Sequence, residues 1–199
     1  MTLRPLLVAP LALLAACQTT PPPAPQDAFW SALSSHCGKA YAGRLVSDEA
    51  ADAEMRGMAI AMHVRSCSAG EIKVPFHIQR ADGTWDRSRT WVLTRTTTGV
   101  RLKHDHRHSD GTRDALTMYG GDTETPGSGT AQDFPVDAES IALFKAEGRT
   151  VSLTNVWRVE VEQTRFAYQL TRQPPNARLF RVEFDLTRPI PAPPAPWGH

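Results

Sequence analysis

The chain has 199 residues, of which 41% are hydrophobic, 22 are basic and 21 are acidic. This length suits one ordinary domain. The balanced charge, with no strongly basic stretch, excludes the electrostatic footprint of a nucleic-acid-binding or polybasic membrane-binding protein. We therefore expect no nucleic-acid partner.

The N-terminus, residues 1–16, has the pattern of a secretory signal. Arg4 precedes ten uncharged, mostly apolar residues, whereas a membrane-spanning helix needs about 20. The run ends in LAAC, residues 14–17. This sequence resembles the lipobox of bacterial lipoproteins, in which the cysteine is lipidated and the peptide before it is removed. The resemblance implies lipidation of Cys17 and a membrane partner through that anchor. In that family, an aspartate directly after the cysteine tends to retain the protein at the inner membrane. Gln18 occupies this position here, and the resemblance therefore implies the outer membrane, facing the periplasm.

Two proline-rich segments flank the body of the chain. Four prolines lie within residues 21–25, and five lie between Pro189 and Pro196. Such segments are extended and have no packing of their own. We therefore expect a tether over 17–26, a single folded domain over 27–188 and a disordered tail over 189–199.

Cys37 and Cys67 remain once Cys17 is assigned to lipidation. Two cysteines in an exported protein usually pair, because the compartment is oxidising. Two free thiols or a thiolate metal ligand are the alternatives, and the absence of a CxxC spacing disfavours both. We predict a Cys37–Cys67 disulfide.

Apolar and polar residues alternate through most of the body, as in half-buried antiparallel strands. Segments such as EIKVPFHI, VSLTNVWRVEVE and RFAYQLTR show the pattern, and in the second it places Val151 and Leu153 inward. A two-residue turn at Gln163-Thr164 would set Val161 opposite Phe166. The pattern predicts nine or ten strands, near 39–47, 57–67, 71–80, 87–96, 100–108, 112–120, 130–134, 150–162, 165–173 and 178–187.

Helix is scarce in this pattern. One short helix is expected from Asp27, and a second between Asp137, as its N-cap, and Gly148, as its stop. Many antiparallel strands with short links predict an all-β fold, an up-and-down β-barrel, with a β-sandwich as the alternative. Trp30 near the start, a helix and a ring of hairpins resemble the calycin group of ligand-binding barrels in outline.

The stretch VRLKHDHRH, residues 100–108, carries three histidines at alternating positions. His104, His106 and His108 share a face with the apolar residues of the same stretch. Its charged residues share the other face, which we expect to be wet, since burying unpaired charge is costly. The histidines are therefore predicted to point inward at one end of the sheet, with at least one sheltered from solvent.

A three-residue turn at 109–111, with Gly111 left-handed, fixes the partner strand. It sets His108 opposite Thr112, His106 opposite Asp114 and His104 opposite Leu116. This register brings the carboxylate of Asp114 among the imidazoles. His104, His106, His108 and Asp114 are thus the candidate ligand-lining residues.

The histidines could alternatively bind a metal or form a hydrogen-bonded structural cluster. Residues at i and i+4 of a strand lie about 13 Å apart, so all three imidazoles cannot readily converge on one ion. His63 and His77 fall on the opposite faces of their strands from the apolar residues and are expected to point outward. We therefore predict polar lining, no metal site and no cofactor.

No catalytic motif accompanies these residues. The chain has no G-x-S-x-G elbow, Walker loop or H-E-x-x-H. The glycine-rich stretch 119–130 is predicted to be a long loop and a candidate lid over the barrel mouth. Three functional hypotheses follow. One is a lipid-tethered barrel that binds a small apolar or amphipathic ligand, and another is a structural or assembly protein of the cell envelope with a filled barrel. A histidine-based metal-binding protein is the third.

Overall fold

A computed structural model of the protein describes residues 22–199. The predicted signal peptide, Cys17 and most of the predicted tether lie outside this range. The last two tether residues are helical, because the first helix begins at Pro25, where proline's missing N–H is tolerated.

The described chain forms one 11-stranded antiparallel sheet that curls into a nearly closed barrel. The strands are β1 (Ala40–Leu45), β2 (Ile60–His63), β3 (Ser66–Cys67), β4 (Glu71–Gln79), β5 (Trp85–Arg95), β6 (Val100–His106), β7 (Tyr119–Asp122), β8 (Ala131–Pro135), β9 (Val156–Val161), β10 (Arg165–Arg172) and β11 (Arg178–Ile190). Consecutive strands pair along the chain with two exceptions: β2 pairs with β4, on which the two-residue strand β3 also pairs, and β7 and β8 form the two ends of the sheet without a ladder between them. β1 pairs with β11, which makes the arrangement an up-and-down meander around the barrel and excludes the sandwich alternative.

The barrel closes where β7 meets β8. The backbone N–H of Asp137 donates to the carbonyl of Gly120 at 3.0 Å, and the Gly120 N–H donates to Ser140 Oγ at 2.7 Å. A Cβ on Gly121 would lie 1.7 Å from the Pro135 carbonyl oxygen. The two strands therefore approach through glycine backbone, which leaves no room for a side chain at this seam.

Both predicted helices are present. α1 (Pro25–Ser34) buries Phe29, Trp30 and Leu33 in the barrel core. α2 (Ala138–Ala146) is capped by Asp137, whose side chain accepts from the Ser140 N–H, and it ends before the left-handed Gly148. Short 3-10 helices occupy Ala50–Met55 and Thr150–Ser152.

The alternating apolar residues face the barrel interior, as predicted. The β9–β10 register also matches the prediction, with Val161 opposite Phe166. Two predicted strands are shorter than expected. Residues 112–118 precede β7 as irregular chain, and residues 150–155 form a 3-10 turn that leaves Val151 exposed and Leu153 only half-buried. The stretch 119–130 contains β7 and is not a free loop.

Arginine side chains on the outer face of β9–β11 bridge carboxylates across strands. Arg181 contacts Glu160 at 2.7 Å and Glu183 at 3.0 Å, and Arg165 also contacts Glu183 at 3.0 Å. The forked guanidinium can bind two carboxylates at once, which the ammonium group of lysine does less well. Hydrogen bonding from Arg181 lowers the pKa of Glu160 to about 2.

The predicted disulfide joins Cys37, just after α1, to Cys67 in β3, with the Cα atoms 6.1 Å apart. It closes a loop over a sequence separation of 30 residues. Replacing both cysteines with serine should lower the free energy of unfolding by about 3–4 kcal/mol, because the unfolded chain is no longer constrained. Urea unfolding of the variant and of the reduced wild type measures this loss. Equal stability of reduced and oxidised wild type would contradict it.

The sequence predicts disorder over 189–199, but residues 189–190 end β11 and the segment 191–199 packs on the outside of the barrel. The Trp197 N–H donates to the Arg87 carbonyl at 3.1 Å, and Arg87 Nη1 donates to the Ala195 carbonyl at 2.8 Å. His199 Nε2 lies 2.9 Å from Asp105 Oδ2. The prolines keep this segment extended, and the Trp197 ring together with these hydrogen bonds holds it against the barrel.

This docked segment covers His77, which points outward as predicted but is only 1% exposed. Burial, with help from Arg87, lowers the pKa of His77 to about 4. Deleting residues 194–199 should therefore raise the pKa of His77 towards its ordinary value of about 6.5. An NMR pH titration of the imidazole measures this shift. His199→Gln, which removes only the terminal contact, is the control, and an unchanged titration after the deletion would disprove the covering role.

Candidate functional site

The barrel interior holds a cavity of about 460 Å³ at the end away from α1. The Arg95 side chain at the last residue of β5 pairs with Asp27 of α1, whereas Arg89 and Trp91, nearer the start of that strand, line the cavity. The cavity wall is mainly apolar and aromatic, formed by Met55, Phe76, Trp91, Leu116, Phe144, Trp157, Leu170 and Phe180.

Strand β6 directs two of the three histidines into this cavity. His104 is 3% exposed and His106 is half-buried, and both line the cavity together with Asp114. His108 lies beyond the end of β6 and is exposed. The structure therefore brings His104, His106 and Asp114 together at the cavity. It places His108 outside, because β6 ends before this residue.

The predicted turn geometry holds near Gly111. The His108 N–H donates to the Thr112 carbonyl at 2.9 Å, and the Asp114 N–H donates to the His106 carbonyl at 3.0 Å. Beyond this point the register differs from the prediction, because His104 pairs with Tyr119. The chain between the two points bulges out of the ladder.

Two features explain the bulge. The Thr117 hydroxyl accepts from the His106 N–H at 2.8 Å, so a side chain replaces the next ladder partner. Met118 adopts a left-handed conformation with φ 56°, which an extended strand does not allow. The result is that Tyr119, in place of Leu116, lies directly beside His104.

His104 is held from both ring nitrogens. Nδ1 lies 3.0 Å from the Tyr119 carbonyl and Nε2 lies 2.7 Å from the Tyr168 hydroxyl. Because a carbonyl oxygen only accepts, Nδ1 carries the proton and Nε2 accepts from the hydroxyl. Burial lowers the pKa of His104 to about 3, so the ring is neutral.

His106 forms the neighbouring polar group. Its Nε2 lies 3.0 Å from the Tyr119 hydroxyl. Burial, followed by the charge of Arg89, lowers the pKa of His106 to about 4, although Asp114 acts in the opposite direction. Burial also raises the pKa of Tyr119 to about 12. At neutral pH the cavity therefore presents uncharged imidazole and phenol groups.

The opposite face of β6 is wet only in part: Arg101 is exposed as expected, but two of the charged residues on this face are buried. Lys103 is 6% exposed and Asp105 is 4% exposed. The Lys103 ammonium lies 2.8 Å from both Asp137 and Glu139 near the start of α2, and Asp105 pairs with Arg107 at 2.9 Å. Ion pairs from other elements make burial of these charges possible.

Four further polar residues line the cavity, and no sequence pattern had connected them. Arg149 and Ser152 precede β9, Asn155 lies just before it, and Arg172 ends β10. Asn155 is 5% exposed, and its Oδ1 has no hydrogen-bond partner. The buried Nε of Arg172 also has none. No spacing pattern connects these residues, because they come from separate segments.

The polar side chains of the cavity are not arranged as a metal-binding site. Within residues 22–199, no group of three or more His, Cys, Asp and Glu side chains is arranged to hold a metal ion. Both nitrogens of His104 and Nε2 of His106 already bond to tyrosine or backbone oxygens.

The fold and the site define a class of protein: a small antiparallel β-barrel with an interior cavity that combines an aromatic wall with polar and charged side chains. No family model matches the chain, and no curated protein or solved structure is significantly similar to it. No helix in the described part of the chain is both long and apolar enough to cross a membrane.

Proposed function

We propose that the protein is an exported, lipid-anchored envelope protein whose barrel binds a small apolar or amphipathic molecule. The observation that supports this most strongly is the unfilled cavity of about 460 Å³. Ligand sites in proteins typically measure about 300–1,000 Å³ and combine an apolar wall with a few polar groups. A barrel with a purely structural role, the alternative, has no need of such a space.

The aromatic wall is rigid enough to form a binding surface in advance. Trp91 stacks on Tyr168 with ring centroids 4.4 Å apart, and on Phe76 at 5.1 Å. The Trp157 ring lies 5.0 Å from His104. Because His104 is fixed from both nitrogens, the polar end of the cavity is also held in place. Preformed surfaces of this kind lose little conformational entropy on binding.

An uncharged fluorescent probe tests the binding function. Titration of N-phenyl-1-naphthylamine into the protein comprising residues 22–199, which contains every described strand and the disulfide, should give a saturable rise in fluorescence. Leu116→Trp fills the cavity and should weaken binding at least tenfold. Leu179→Trp is the matched control, because Leu179 is 43% exposed and does not line the cavity. Absence of saturable binding, or equal loss in both variants, would reject the proposal.

The lipid anchor is a separate part of the proposal and rests on the LAAC sequence ending at Cys17. In the full-length protein expressed in a bacterium, Cys17→Ala should abolish incorporation of labelled palmitate and block removal of the signal. Cys37→Ser is the control, since Cys37 is in the disulfide. Equal labelling of the wild type and Cys17→Ala would exclude lipidation at this residue.

A further inference from the structure

The cavity carries more positive charge than its carboxylates balance. Three arginines line it, Arg89, Arg149 and Arg172, against the single carboxylate of Asp114. Arg89 is paired with Asp86 at 3.0 Å. Arg149 and Arg172 form no salt bridge with any residue in the described range 22–199. The cavity is therefore cationic on the side formed by the segments around β9 and β10.

Three arginines on the outer face of β9–β11 differ from these two. Arg158, Arg165 and Arg181 each contact two or more carboxylates within 4.0 Å. Arg149 and Arg172 are the arginines of the cavity lining whose guanidinium groups form no salt bridge within residues 22–199, so they are available to a ligand. A guanidinium group presents several N–H donors in a fixed plane and is suited to carboxylate and phosphate oxygens.

Unpartnered polar atoms mark the same part of the cavity. The buried Arg172 Nε has no hydrogen-bond acceptor. The Asn155 side-chain oxygen has no donor, although this residue is only 5% exposed. A buried polar atom without a partner costs about 1–3 kcal/mol, so each one requires an explanation. A half-turn of the carboxamide exchanges its oxygen and nitrogen, so Asn155 can offer a donor at this position. An acidic group in the cavity would satisfy both residues.

We propose that the ligand is an anionic amphiphile. Its carboxylate or phosphate group is bound by Arg149 and Arg172, with Asn155 as an additional hydrogen-bond donor. Its apolar part lies against the aromatic wall that includes Trp91 and Trp157. This inference rests on the proposed binding function and specifies the chemistry of the ligand.

Matched ten-carbon amphiphiles test the charge requirement. Decanoate, decyl phosphate and uncharged 1-decanol are each used below their aggregation limit to displace N-phenyl-1-naphthylamine from the 22–199 protein at pH 7.5. At least one of the two acids should bind tenfold or more tightly than decanol. Tighter binding of decanoate identifies a carboxylate ligand, and tighter binding of decyl phosphate identifies a phosphate ligand.

Arginine variants test the assignment of residues. Arg149→Gln and Arg172→Gln should each weaken binding of the preferred acid at least fivefold and leave decanol binding within twofold. Arg65→Gln is the control, because Arg65 is exposed and does not line the cavity. Thermal unfolding of each variant confirms that it is folded.

The outcomes separate this inference from the binding function. If the probe binds but decanol binds as tightly as both acids, the anionic ligand is excluded and the binding function stands. Acid binding that is unchanged in Arg149→Gln and Arg172→Gln would also overturn the inference. If the probe does not bind, the binding function itself fails.

Discussion

Gly121→Ala is expected to destabilise the barrel by about 3 kcal/mol or more, at the upper end of the range for overpacking, because the new atom meets fixed backbone. The new Cβ would lie 1.7 Å from the Pro135 carbonyl oxygen and 2.7 Å from its carbon. Neither atom can rotate away as a side chain could. The β7–β8 seam must therefore open, which removes the contact that closes the barrel.

Gly70→Ala is the matched control for this substitution. A Cβ at Gly70 meets no heavy atom within 4 Å, so its effect should stay within about 0.5 kcal/mol. Chemical unfolding monitored by tryptophan fluorescence measures both variants. A Gly121→Ala protein as stable as Gly70→Ala would show that β7 and β8 do not meet as described.

Moderate acid should destabilise the protein strongly. The pKa values of His77, His104 and His106 are lowered to about 4, 3 and 4, mainly by burial. In the unfolded chain each imidazole titrates near pH 6.5. Between about pH 6.5 and these lower values the unfolded state binds more protons, so stability falls as the pH falls.

The expected loss is large compared with the stability of an ordinary domain. At pH 5 each of the three imidazoles contributes a loss of about 2 kcal/mol, or about 6 kcal/mol together. A typical domain is stable by about 5–15 kcal/mol. Urea unfolding at pH 7, 6 and 5 measures this change.

Single glutamine variants assign the acid sensitivity. His104→Gln should flatten the pH dependence between pH 7 and 5, because it removes one proton-binding site from the unfolded chain. His108→Gln, at an exposed position outside the cavity, is the control for the loss of an imidazole. Equal stability of the wild type at pH 7 and pH 5 would contradict the burial of these rings.

Alternation of residue type was sufficient to predict the fold class and the inward direction of His104 and His106. Burial of one sheet face forces a period of two, and a register error of one residue would expose the whole apolar set. The hairpins at Gln163-Thr164 and Gly111 were predictable for the same reason. The 11 strands of the structure exceed the nine or ten predicted, because the single strand expected over 57–67 is interrupted and forms β2 and β3.

The remaining features depend on contacts between distant segments. The bulge before Tyr119 requires the Thr117 hydroxyl to replace a backbone partner. Lys103 is buried because Asp137 and Glu139 are brought to it by α2. Arg149, Asn155 and Arg172 share a cavity only after the barrel has closed. Local periodicity contains no information about such partners.

The most direct test of the account is the position of a bound molecule inside the barrel. Methyl NMR of the 22–199 protein during titration with N-phenyl-1-naphthylamine should show saturable shifts and intermolecular NOEs at Met55, Leu116 and Leu170, which line the cavity. The exposed methyl groups of Val46, Val151 and Leu179 should be unaffected. Perturbation confined to the exposed methyl groups, or none at saturating probe, would contradict interior binding.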